Sequence, residues 1–305
     1  MKKKILLTGA TGFLGSHLAK ALLSDGYEVV ALKRKSSSLR RVESIVTDIV
    51  FIDIEEDLDF ARLFSKFGKI DVIIHTATCY GRNNESVSEI FSANTEFPLR
   101  LLDAGKRAGV EAFLNTDTSL DKYLNLYSLS KNQFLQWGKY FSKHEEILFG
   151  NVRLEHFYGS DDEPTKFSTY VINSCLGNVP ELRLTKGEQK RDFIYIDDVI
   201  SAYMVLLEKI DSFSNYFVEF DVGTGQSVSI REFVETVHCL TNSNAHLVFG
   251  ALPYRDGEVM HSEPDISGLL ALGWHCRYDI NAGIREVVKQ EVDRLKLGQL
   301  DNNKK

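Results

Sequence analysis

The first half of the chain alternates short apolar runs with stretches whose apolar residues recur at helical spacing. The apolar runs predict strands over residues 4–7, 28–32, 49–52, 72–75, 111–115 and 147–154. The helical patterns cover residues 15–23, 58–67, 94–105 and 127–141. Strands that alternate with helices predict a parallel sheet covered on both faces, and buried parallel strands are typically near-continuous apolar runs. The fold class is therefore α/β, a doubly wound parallel sheet.

The pattern changes beyond about residue 159. A loop signal, Asp161-Asp162-Glu163-Pro164, is followed by short helices and strands without strict alternation. One more strand is predicted over residues 215–222, directly before Gly223-Thr224-Gly225. We expect a smaller C-terminal α/β lobe over about 161–192 and 223–297, and a polar, disordered tail over 298–305.

Charge and cysteine content narrow the class of protein. With 43 acidic and 36 basic residues, the chain carries a net charge of −7 at pH 7, which disfavours binding to DNA or RNA phosphates. The four cysteines form no CxxC pair, which argues against a zinc site and against a disulfide framework. We therefore expect no nucleic-acid partner and no metal.

Nothing in the sequence predicts a membrane segment. No run approaches about 18 consecutive apolar residues, so no transmembrane helix is expected. The basic start, residues 1–4, meets an apolar run that is too short for a signal peptide. The expectation is a cytoplasmic protein without a membrane partner.

A glycine-rich segment follows the first predicted strand and opens the first predicted helix. Glycine suits positions where the backbone turns tightly and approaches a pyrophosphate, and a helix N-terminus offers free N–H groups to that phosphate. The segment predicts a dinucleotide site; a purely structural turn is the alternative. Its candidate residues are Gly9, Thr11, Gly12, Phe13, Leu14 and Gly15.

The end of the second predicted strand indicates which dinucleotide binds. NAD sites usually place an acid there to hold the ribose 2′-hydroxyl. Here Lys33 and Arg34 occupy that place, and a basic pair suits a 2′-phosphate, so we expect NADP(H), with NAD(H) as the alternative. The pair can also be solvated surface charge. Asp53, followed by Ile54, either binds the adenine amino group or caps a loop.

A tyrosine and a lysine lie four residues apart in the helical pattern over 127–141. Tyr127 and Lys131 then share one helix face, and the ammonium is expected to lower the pKa of the phenol from about 10. Such a tyrosine can exchange a proton with a carbonyl or an alcohol. Thr118, at the end of the preceding strand, can bind the same oxygen. The alternatives are an exposed helix pair and a threonine-rich turn.

Together, these segments resemble the extended short-chain dehydrogenase/reductase family, which includes nucleotide-sugar epimerases, dehydratases and 4-ketoreductases. The resemblance covers nearly the whole chain, in both order and spacing. The later segments that carry it are Arg153 to Gly159, Arg191 to Val199 (RDFIYIDDV), Asp221 to Gly225 (DVGTG), and Arg255 before Glu258.

The resemblance implies a Rossmann domain over 1–160 and about 193–222, and a lobe that binds a nucleotide sugar, with the sugar in the cleft between them. The cofactor residues that it adds are His75, Thr76, Ala77, Asn94, Thr116, Arg153 and His156, besides Tyr127 and Lys131. The substrate residues that it implies are Thr78, Thr118, Lys166, Arg191, Arg255 and Glu258. Taken singly, the two histidines can be structural, and the basic residues can be surface charges.

Two departures from the family pattern limit which of the family's reactions we expect. Only eight residues separate Thr118 from Tyr127, where common epimerases have a much longer loop. This segment is similar instead to that of the 4-reductases that form CDP-abequose and CDP-paratose. Thr118 also lacks the Asp-Glu pair that follows it in dehydratases, which disfavours water elimination.

The resemblance thus implies reduction of the 4-keto group of CDP-4-keto-3,6-dideoxyglucose by NADPH, for surface polysaccharide such as the lipopolysaccharide O-antigen. Tyr127 then protonates the forming alkoxide, Lys131 holds the nicotinamide ribose, and Thr118 positions the carbonyl oxygen. The alternatives are a dTDP-4-keto-6-deoxyhexose reductase, a 4-epimerase with tightly bound NAD, and a non-catalytic NADP-binding sensor or scaffold.

The resemblance also implies a homodimer. In this family two helices of each subunit often form a four-helix interface, and here they correspond to the helical patterns over 94–105 and 127–141. The alternative is that the apolar residues of these helices only pack on the sheet.

Overall fold

The computed structural model describes residues 2–54, 59–144, 147–255 and 257–302. Its strands are β1 (Lys4–Thr8), β2 (Glu28–Arg34), β3 (Val50–Ile54), β4 (Val72–His75), β5 (Ala112–Thr118), β6 (Leu148–Leu154), β7 (His156–Tyr158), β8 (Glu181–Leu184), β9 (Lys190–Tyr195), β10 (Phe217–Val222), β11 (Ser227–Ser229) and β12 (His246–Phe249). Its α-helices are α1 (Phe13–Ser24), α2 (Phe60–Phe67), α3 (Val87–Phe91), α4 (Phe97–Arg107), α5 (Leu126–His144), α6 (Phe167–Leu176), α7 (Ile196–Glu208), α8 (Ile230–Leu240), α9 (Ser267–Ala271) and α10 (Ile280–Asn302). Single turns of 3₁₀-helix cover Arg40–Ile45 and Ile210–Ser212, and a π-helical turn covers Ser92–Glu96.

The central sheet has seven strands in the order β10-β6-β5-β4-β1-β2-β3. The pairs β1–β2, β1–β4, β2–β3, β4–β5 and β5–β6 are all parallel. Strand order reverses at β1, which has β2 on one side and β4 on the other, and ligands of such sheets bind outside the carboxyl ends of the strands at this point. The prediction of a doubly wound parallel α/β fold is confirmed.

The chain forms two compact units, of which the first contains most of this sheet. It comprises residues 1–154, 200–221 and 271–273. Its central strands are buried on both faces: Ile5, Leu6 and Leu7 of β1 are fully buried. Burial on both faces explains why these strands are near-continuous apolar runs in the sequence.

The second unit comprises residues 155–199, 222–270 and 274–305. It contains a three-stranded sheet, β11-β9-β7, and a two-stranded sheet, β12-β8. Residues 155–160, 193–199 and 222, for which the resemblance implied the first domain, lie in this unit, and residues 271–273, for which it implied the lobe, lie in the first unit. For residues 155–160 and 193–199 the reason is a strand pairing: β7 pairs in parallel with β9, with His156 opposite Phe193.

Helical structure extends beyond the predicted segments in two places. The helix predicted over 94–105 is preceded by α3, whose start is a capping box: the Ser86 side chain accepts from the Glu89 N–H, and the Glu89 carboxylate accepts from the Ser86 N–H. At the C-terminus, α10 continues to Asn302, through residues 298–302, for which the sequence analysis predicted disorder. The last three residues of that predicted tail lie outside the described residues.

Side chains at odd positions of β5 and β6 form one face of the sheet, because side chains alternate along a strand. Toward the amino ends, this face is aromatic. The rings of Phe113 and Phe149 are nearly parallel, with centroids 5.7 Å apart, and Phe149 stacks on Phe217 of β10 at 6.4 Å. Helix α5 covers them with Phe134 and with Gly138, at which an added Cβ would overlap the Phe149 ring.

The opposite side of α5 is exposed and partly aromatic. Trp137 is 45% exposed and Tyr140 is 51% exposed, and their rings contact each other. Helix α5 therefore both packs on the sheet and presents large apolar side chains outward. The predicted homodimer stays a prediction. Within the described part of the chain, no helix combines the length and the apolarity that a membrane crossing requires.

The Gly138–Phe149 contact leads to a stability prediction. We expect Gly138→Ala to lower the free energy of unfolding by about 1–2 kcal/mol, because overpacking against the ring stack outweighs the helix propensity gained by alanine. Urea unfolding followed by circular dichroism measures this change. Gln133→Ala, at an exposed position of the same helix, is the control and should change stability by less than about 0.5 kcal/mol. A Gly138→Ala protein as stable as the unmodified one would contradict the expectation.

Candidate active site

The turn between β1 and α1 requires its glycines. Gly9 has φ +73°, a conformation that favours glycine, and a Cβ there would lie 2.7 Å from both the Ala77 nitrogen and the Thr76 hydroxyl. A Cβ on Gly15 would overlap the Gly9 carbonyl oxygen. The turn is therefore closed tightly against the segment that follows β4, and the start of α1 lies directly against it.

The N-terminus of α1 suits a dinucleotide pyrophosphate. Gly12 is the N-cap residue, its extended backbone carries no capping side chain, and the first turn contains no acidic residue. The first N–H groups of α1 therefore receive no side-chain cap, and an anion can accept from them. The predicted residues Thr11, Phe13 and Leu14 lie in this segment. The cradle fits the group that the sequence analysis expected.

Two predicted cofactor residues at the ends of β2 and β3 contact each other. Lys33 of β2 lies opposite Asp53 of β3, and the two side chains form an ion pair. Arg34 lies opposite Ile54, and its side chain is exposed. The Asp53 carboxylate thus offsets the charge of Lys33, whereas Arg34 is the more accessible cation at this edge.

His75, a predicted cofactor residue, lies inside the core. Its side chain is fully buried, its ring lies among those of Phe97, Phe113 and Phe134, and burial lowers its pKa well below 6.5, so the imidazole is neutral. Its Nδ1 forms a 2.8 Å hydrogen bond with the Thr8 hydroxyl. His75 therefore contacts the site indirectly, through Thr8.

Thr8 links His75 to the segment that follows β4 through hydrogen bonds. The Thr8 hydroxyl accepts from the Ala77 N–H at 3.2 Å, and the Thr76 hydroxyl donates to the Thr8 carbonyl at 2.7 Å. The predicted residues Thr76 and Ala77 are thereby fixed beside the glycine turn.

Asn94 lies in the π-helical turn and fixes the same segment from the other end. Its side chain accepts from the Cys79 N–H at 2.7 Å, donates to the Cys79 carbonyl at 2.8 Å, and accepts from the Thr78 hydroxyl at 3.1 Å. It also donates to the Ser130 hydroxyl on α5 at 3.0 Å. Asn94 thus links the segment after β4 to the helix that carries Tyr127 and Lys131. π-helical turns frequently occur at functional sites.

The three predicted catalytic residues lie together at the carboxyl end of β5 and the start of α5. Thr118 is the last residue of β5, and its hydroxyl accepts from the Leu120 N–H at 3.2 Å. Lys131 lies one turn further along α5 and is 2% exposed. The ring of Tyr80 packs against that of Tyr127 with centroids 5.1 Å apart.

The pKa of Tyr127 shifts in the direction opposite to the one that the sequence predicted. Burial raises the pKa of the phenol well above 10, and the neighbouring Tyr80 and the Asp117 carboxylate add to that rise, whereas Thr118 and Arg82 lower it. Loss of hydration of the charged phenolate form is the main cause of this rise. Tyr127 is therefore a protonated phenol near neutral pH.

Sequence reasoning missed Asp117, whose side chain is fully buried one residue before Thr118. It accepts from Lys122 at 2.7 Å, from the Thr118 N–H at 2.8 Å and from Asn151 at 3.0 Å. The signal that was available is its position: Asp117 continues the odd-numbered face of β5 that begins with buried Phe113. A charged residue at a position predicted to be buried indicates a compensating partner.

Two other predicted cofactor residues are bonded within the first unit. Arg153 of β6 donates to both carboxylate oxygens of Asp221, at 2.5 and 2.8 Å, and lies 3.7 Å from Glu219. The Thr116 hydroxyl is 2.6 Å from that of Tyr203 on α7. The structure shows structural partners for both residues, and their cofactor contacts remain predictions.

In the second unit, the structure brings two predicted substrate residues together. Arg191 donates to the Glu258 carboxylate at 2.6 Å and to the Lys190 carbonyl at 2.8 Å. Arg255 lies three residues before Glu258 and is exposed. Arg255 is thus an exposed cation close in sequence to the half-buried Glu258, whereas both contacts of Arg191 lie within the unit, and the substrate roles of these residues stay predictions.

Lys166 and His156 also have internal partners in that unit. Lys166 pairs with the buried carboxylate of Asp162 at 2.9 Å and lies 4.1 Å from the Phe157 ring centroid. His156 lies 3.3 Å from the Glu155 carboxylate, and its ring meets that of Phe193 edge-on. Their predicted roles toward substrate and cofactor stay predictions.

Comparison with known proteins agrees with this geometry. The model of the NAD-dependent epimerase/dehydratase family matches residues 5–218. The chain is 36% identical over 298 residues to the CDP-abequose synthase of Salmonella muenchen, with 95% of this chain and 99% of that protein covered. It is 35% identical over 305 residues to the CDP-abequose synthase of Salmonella typhimurium, with the same coverage.

Among solved structures, the UDP-glucose 4-epimerase of Thermotoga maritima, determined with UDP-glucose, shares the fold with a TM-score of 0.84. It is 20% identical, with 96% of this chain and 99% of that chain covered. The family match over more than half of the chain and the two relatives above 30% identity lead to one conclusion: the chain belongs to the NAD-dependent epimerase/dehydratase family of extended short-chain dehydrogenases/reductases.

Proposed function

We propose that this protein reduces the 4-keto group of a nucleotide-linked deoxyhexose with NADPH, and that the substrate is CDP-4-keto-3,6-dideoxyglucose. The product is then CDP-abequose or CDP-paratose, which differ only in configuration at C4. The relatives named CDP-abequose synthase, each covered over 99% of its length, support the choice of substrate. The short segment between Thr118 and Tyr127 supports a reductase over an epimerase.

One observation carries the proposed chemistry: Thr118 ends β5, Tyr127 lies at the start of α5, and the buried Lys131 lies one turn further along that helix. A protonated phenol can donate to the alkoxide that forms when a carbonyl is reduced. An epimerase of this family must first take a proton from an alcohol, for which a phenolate is needed. The raised pKa of Tyr127 means that the phenol holds the proton that the proposed reduction uses.

Each residue of this group has one role in the proposal. A bound nicotinamide dinucleotide supplies the hydride. Thr118 donates a hydrogen bond to the carbonyl oxygen of the sugar, and Tyr127 gives its proton to that oxygen. Lys131 binds the nicotinamide ribose and supplies positive charge beside the phenol. Gly9, Gly12 and the N-terminus of α1 hold the pyrophosphate.

The substrate assay tests the function directly. We expect rapid loss of NADPH absorbance with CDP-4-keto-3,6-dideoxyglucose, and little with dTDP-4-keto-6-deoxyglucose, followed by NMR assignment of the product at C4. Oxidation of NADPH with the dTDP sugar alone would show that the substrate is a dTDP sugar and that the reaction is still a 4-keto reduction. Oxidation with neither sugar, together with NAD that copurifies, would indicate a 4-epimerase. No turnover with any keto sugar would indicate a sensor or scaffold.

Replacement of Tyr127 tests the proton donor. Tyr127→Phe removes only the hydroxyl, so we expect kcat to fall by about 10²–10⁴-fold, while NADPH affinity changes little. Tyr123→Phe is the matched control, since Tyr123 lies in the neighbouring segment and is 79% exposed. Turnover of Tyr127→Phe within about threefold of the unmodified rate would show that another group supplies the proton.

The contacts of Lys33 and Arg34 at the strand ends lead to a prediction about which residue distinguishes NADPH from NADH. Because Asp53 offsets the charge of Lys33, we expect Arg34 to make the stronger contact with the 2′-phosphate. Arg34→Ala should weaken NADPH binding about tenfold, or about 1.4 kcal/mol, and leave NADH binding nearly unchanged. Lys33→Ala should have a smaller effect. Fluorescence titration with both cofactors measures the difference; equal losses for the two cofactors would contradict a phosphate contact.

A further inference from the structure

Residues 119–125 connect β5 to α5, and each of them is at least partly exposed. Apolar burial therefore contributes little to holding this segment in one conformation. At its start, the Ser119 N–H donates to the Leu154 carbonyl at 3.2 Å. At its end, the Asn125 N–H donates to the Ser128 hydroxyl at 3.2 Å, and the Ser128 N–H donates to the Asn125 side chain at 2.9 Å. Polar contacts of side chains must fix the part between these bonds.

Asp117 provides a fixed anion at the end of β5. Its side chain has no exposed surface, and burying a carboxylate is costly unless charged and hydrogen-bonding partners compensate for it. One carboxylate oxygen accepts from the Thr118 N–H at 2.8 Å, and the other accepts from the Asn151 amide on β6 at 3.0 Å. The side-chain oxygen of Asn151 in turn accepts from Asn115 at 2.8 Å. The anion is therefore bonded to two neighbouring strands.

Lys122, from the exposed segment, supplies the charge that compensates this anion. Its ammonium donates at 2.7 Å to the Asp117 oxygen that also accepts from Asn151, and at 3.1 Å to the Thr118 carbonyl. Burial raises the pKa of the Asp117 carboxyl, but the charge of Lys122 and the hydrogen bonds outweigh burial, and the pKa is lowered overall. Asp117 is therefore ionised at neutral pH, and its ion pair with Lys122 ties the middle of the segment to β5.

These contacts engage all three polar groups of Thr118. Its N–H donates to Asp117, its carbonyl accepts from Lys122, and its hydroxyl accepts from the Leu120 N–H at 3.2 Å. A hydroxyl that accepts one hydrogen bond still has its own hydrogen to donate. Because the Leu120 N–H belongs to the segment that Lys122 ties down, the conformation of this segment sets the direction of the Thr118 hydroxyl.

We propose that Asp117 and Lys122 are positioning residues, whose ion pair fastens the 119–125 segment to β5 and so directs the Thr118 hydroxyl toward the carbonyl oxygen of the sugar. The pair acts through Thr118, not through a contact of its own with substrate or cofactor. This inference deepens the proposed reduction and rests on it for its turnover readouts. Loss of the pair should therefore slow the reduction without weakening NADPH binding.

A double-mutant cycle between the pair and Thr118 tests the inference. Thr118→Val removes the hydroxyl and should lower kcat about 10²-fold. Lys122→Met should lower kcat about tenfold in the unmodified protein but less than about twofold in Thr118→Val, because the group that it positions is then absent. Asp117→Asn should behave in the same way, since an amide offers one acceptor oxygen where the carboxylate uses two. A purely structural pair would give the same loss in both backgrounds.

Control variants separate charge from packing. Lys122→Arg keeps the charge and should hold kcat within about threefold of the unmodified value. Asp121→Asn, at an exposed carboxylate of the same segment, should change kcat by less than about twofold. Lys122→Met leaves Asp117 buried without its charged partner; if this variant does not fold, the double variant Asp117→Asn/Lys122→Met removes both charges and takes its place in the cycle.

Cofactor binding shows whether the loss is confined to the reaction. NADPH affinity, measured by nicotinamide fluorescence, should change by less than about twofold in each variant, because the pair directs a group at the sugar and not at the cofactor. A loss of kcat that persists in full in Thr118→Val would overturn the inference. An equal loss of NADPH affinity, or full activity of Lys122→Met, would overturn it as well.

Amide hydrogen exchange gives a readout that needs no sugar. In Lys122→Met, the amide hydrogens of residues 118–120 should exchange about tenfold faster than in the unmodified protein, whereas those of α5 after Ser128 should keep their rate. If the unmodified protein turns over no keto sugar but this exchange rises as expected, the proposed function fails and the fastening of the segment stands. If turnover of the unmodified protein is normal and Lys122→Met changes neither kcat nor exchange, the positioning pair fails and the function stands.

Discussion

The alternation of side chains along β5 and β6 places several of the polar groups in the candidate active site. On the face toward α5, β5 presents Phe113, then Asn115, then Asp117, so its character changes from aromatic to charged toward the carboxyl end. The aromatic half packs under α5, and the charged half lies at the edge where parallel sheets bind ligands. A slip of one residue would exchange the two faces and bring Thr116 to the position of Asp117. One face of one strand therefore contributes both to stability and to the chemistry.

Features that depend on neighbours in sequence were predictable. The strand–helix alternation, the glycine turn at Gly9 and the one-turn spacing of Tyr127 and Lys131 are local, and they led to the right fold class and family. The capping box at Ser86 was equally local and was overlooked. It would have placed the start of the helical region before the π-helical turn.

Features that depend on residues far apart in sequence were not predictable. Arg153 and Asp221 lie 68 residues apart and meet only because β6 and β10 are adjacent in the sheet. The pairing of β7 with β9, which places residues 155–160 in the second unit, is of the same kind. The direction of the Tyr127 pKa shift depends on how deeply the phenol is buried, and a spacing of four residues contains no information about burial.

The π-helical turn at Ser92–Glu96 rotates the helix that follows it about the helix axis, relative to the helix that precedes it. A π turn contains about one residue more than an α turn, so Phe97 and the residues after it are rotated by about 100° relative to an uninterrupted helix. Ile90 before the turn and Leu101 after it are both buried, and the extra residue of the π turn sets the angle between these two buried sides. Deleting one residue here would preserve helicity and turn the inward side of α4 away from its core. Such a deletion would therefore be far more damaging than its single-residue length suggests.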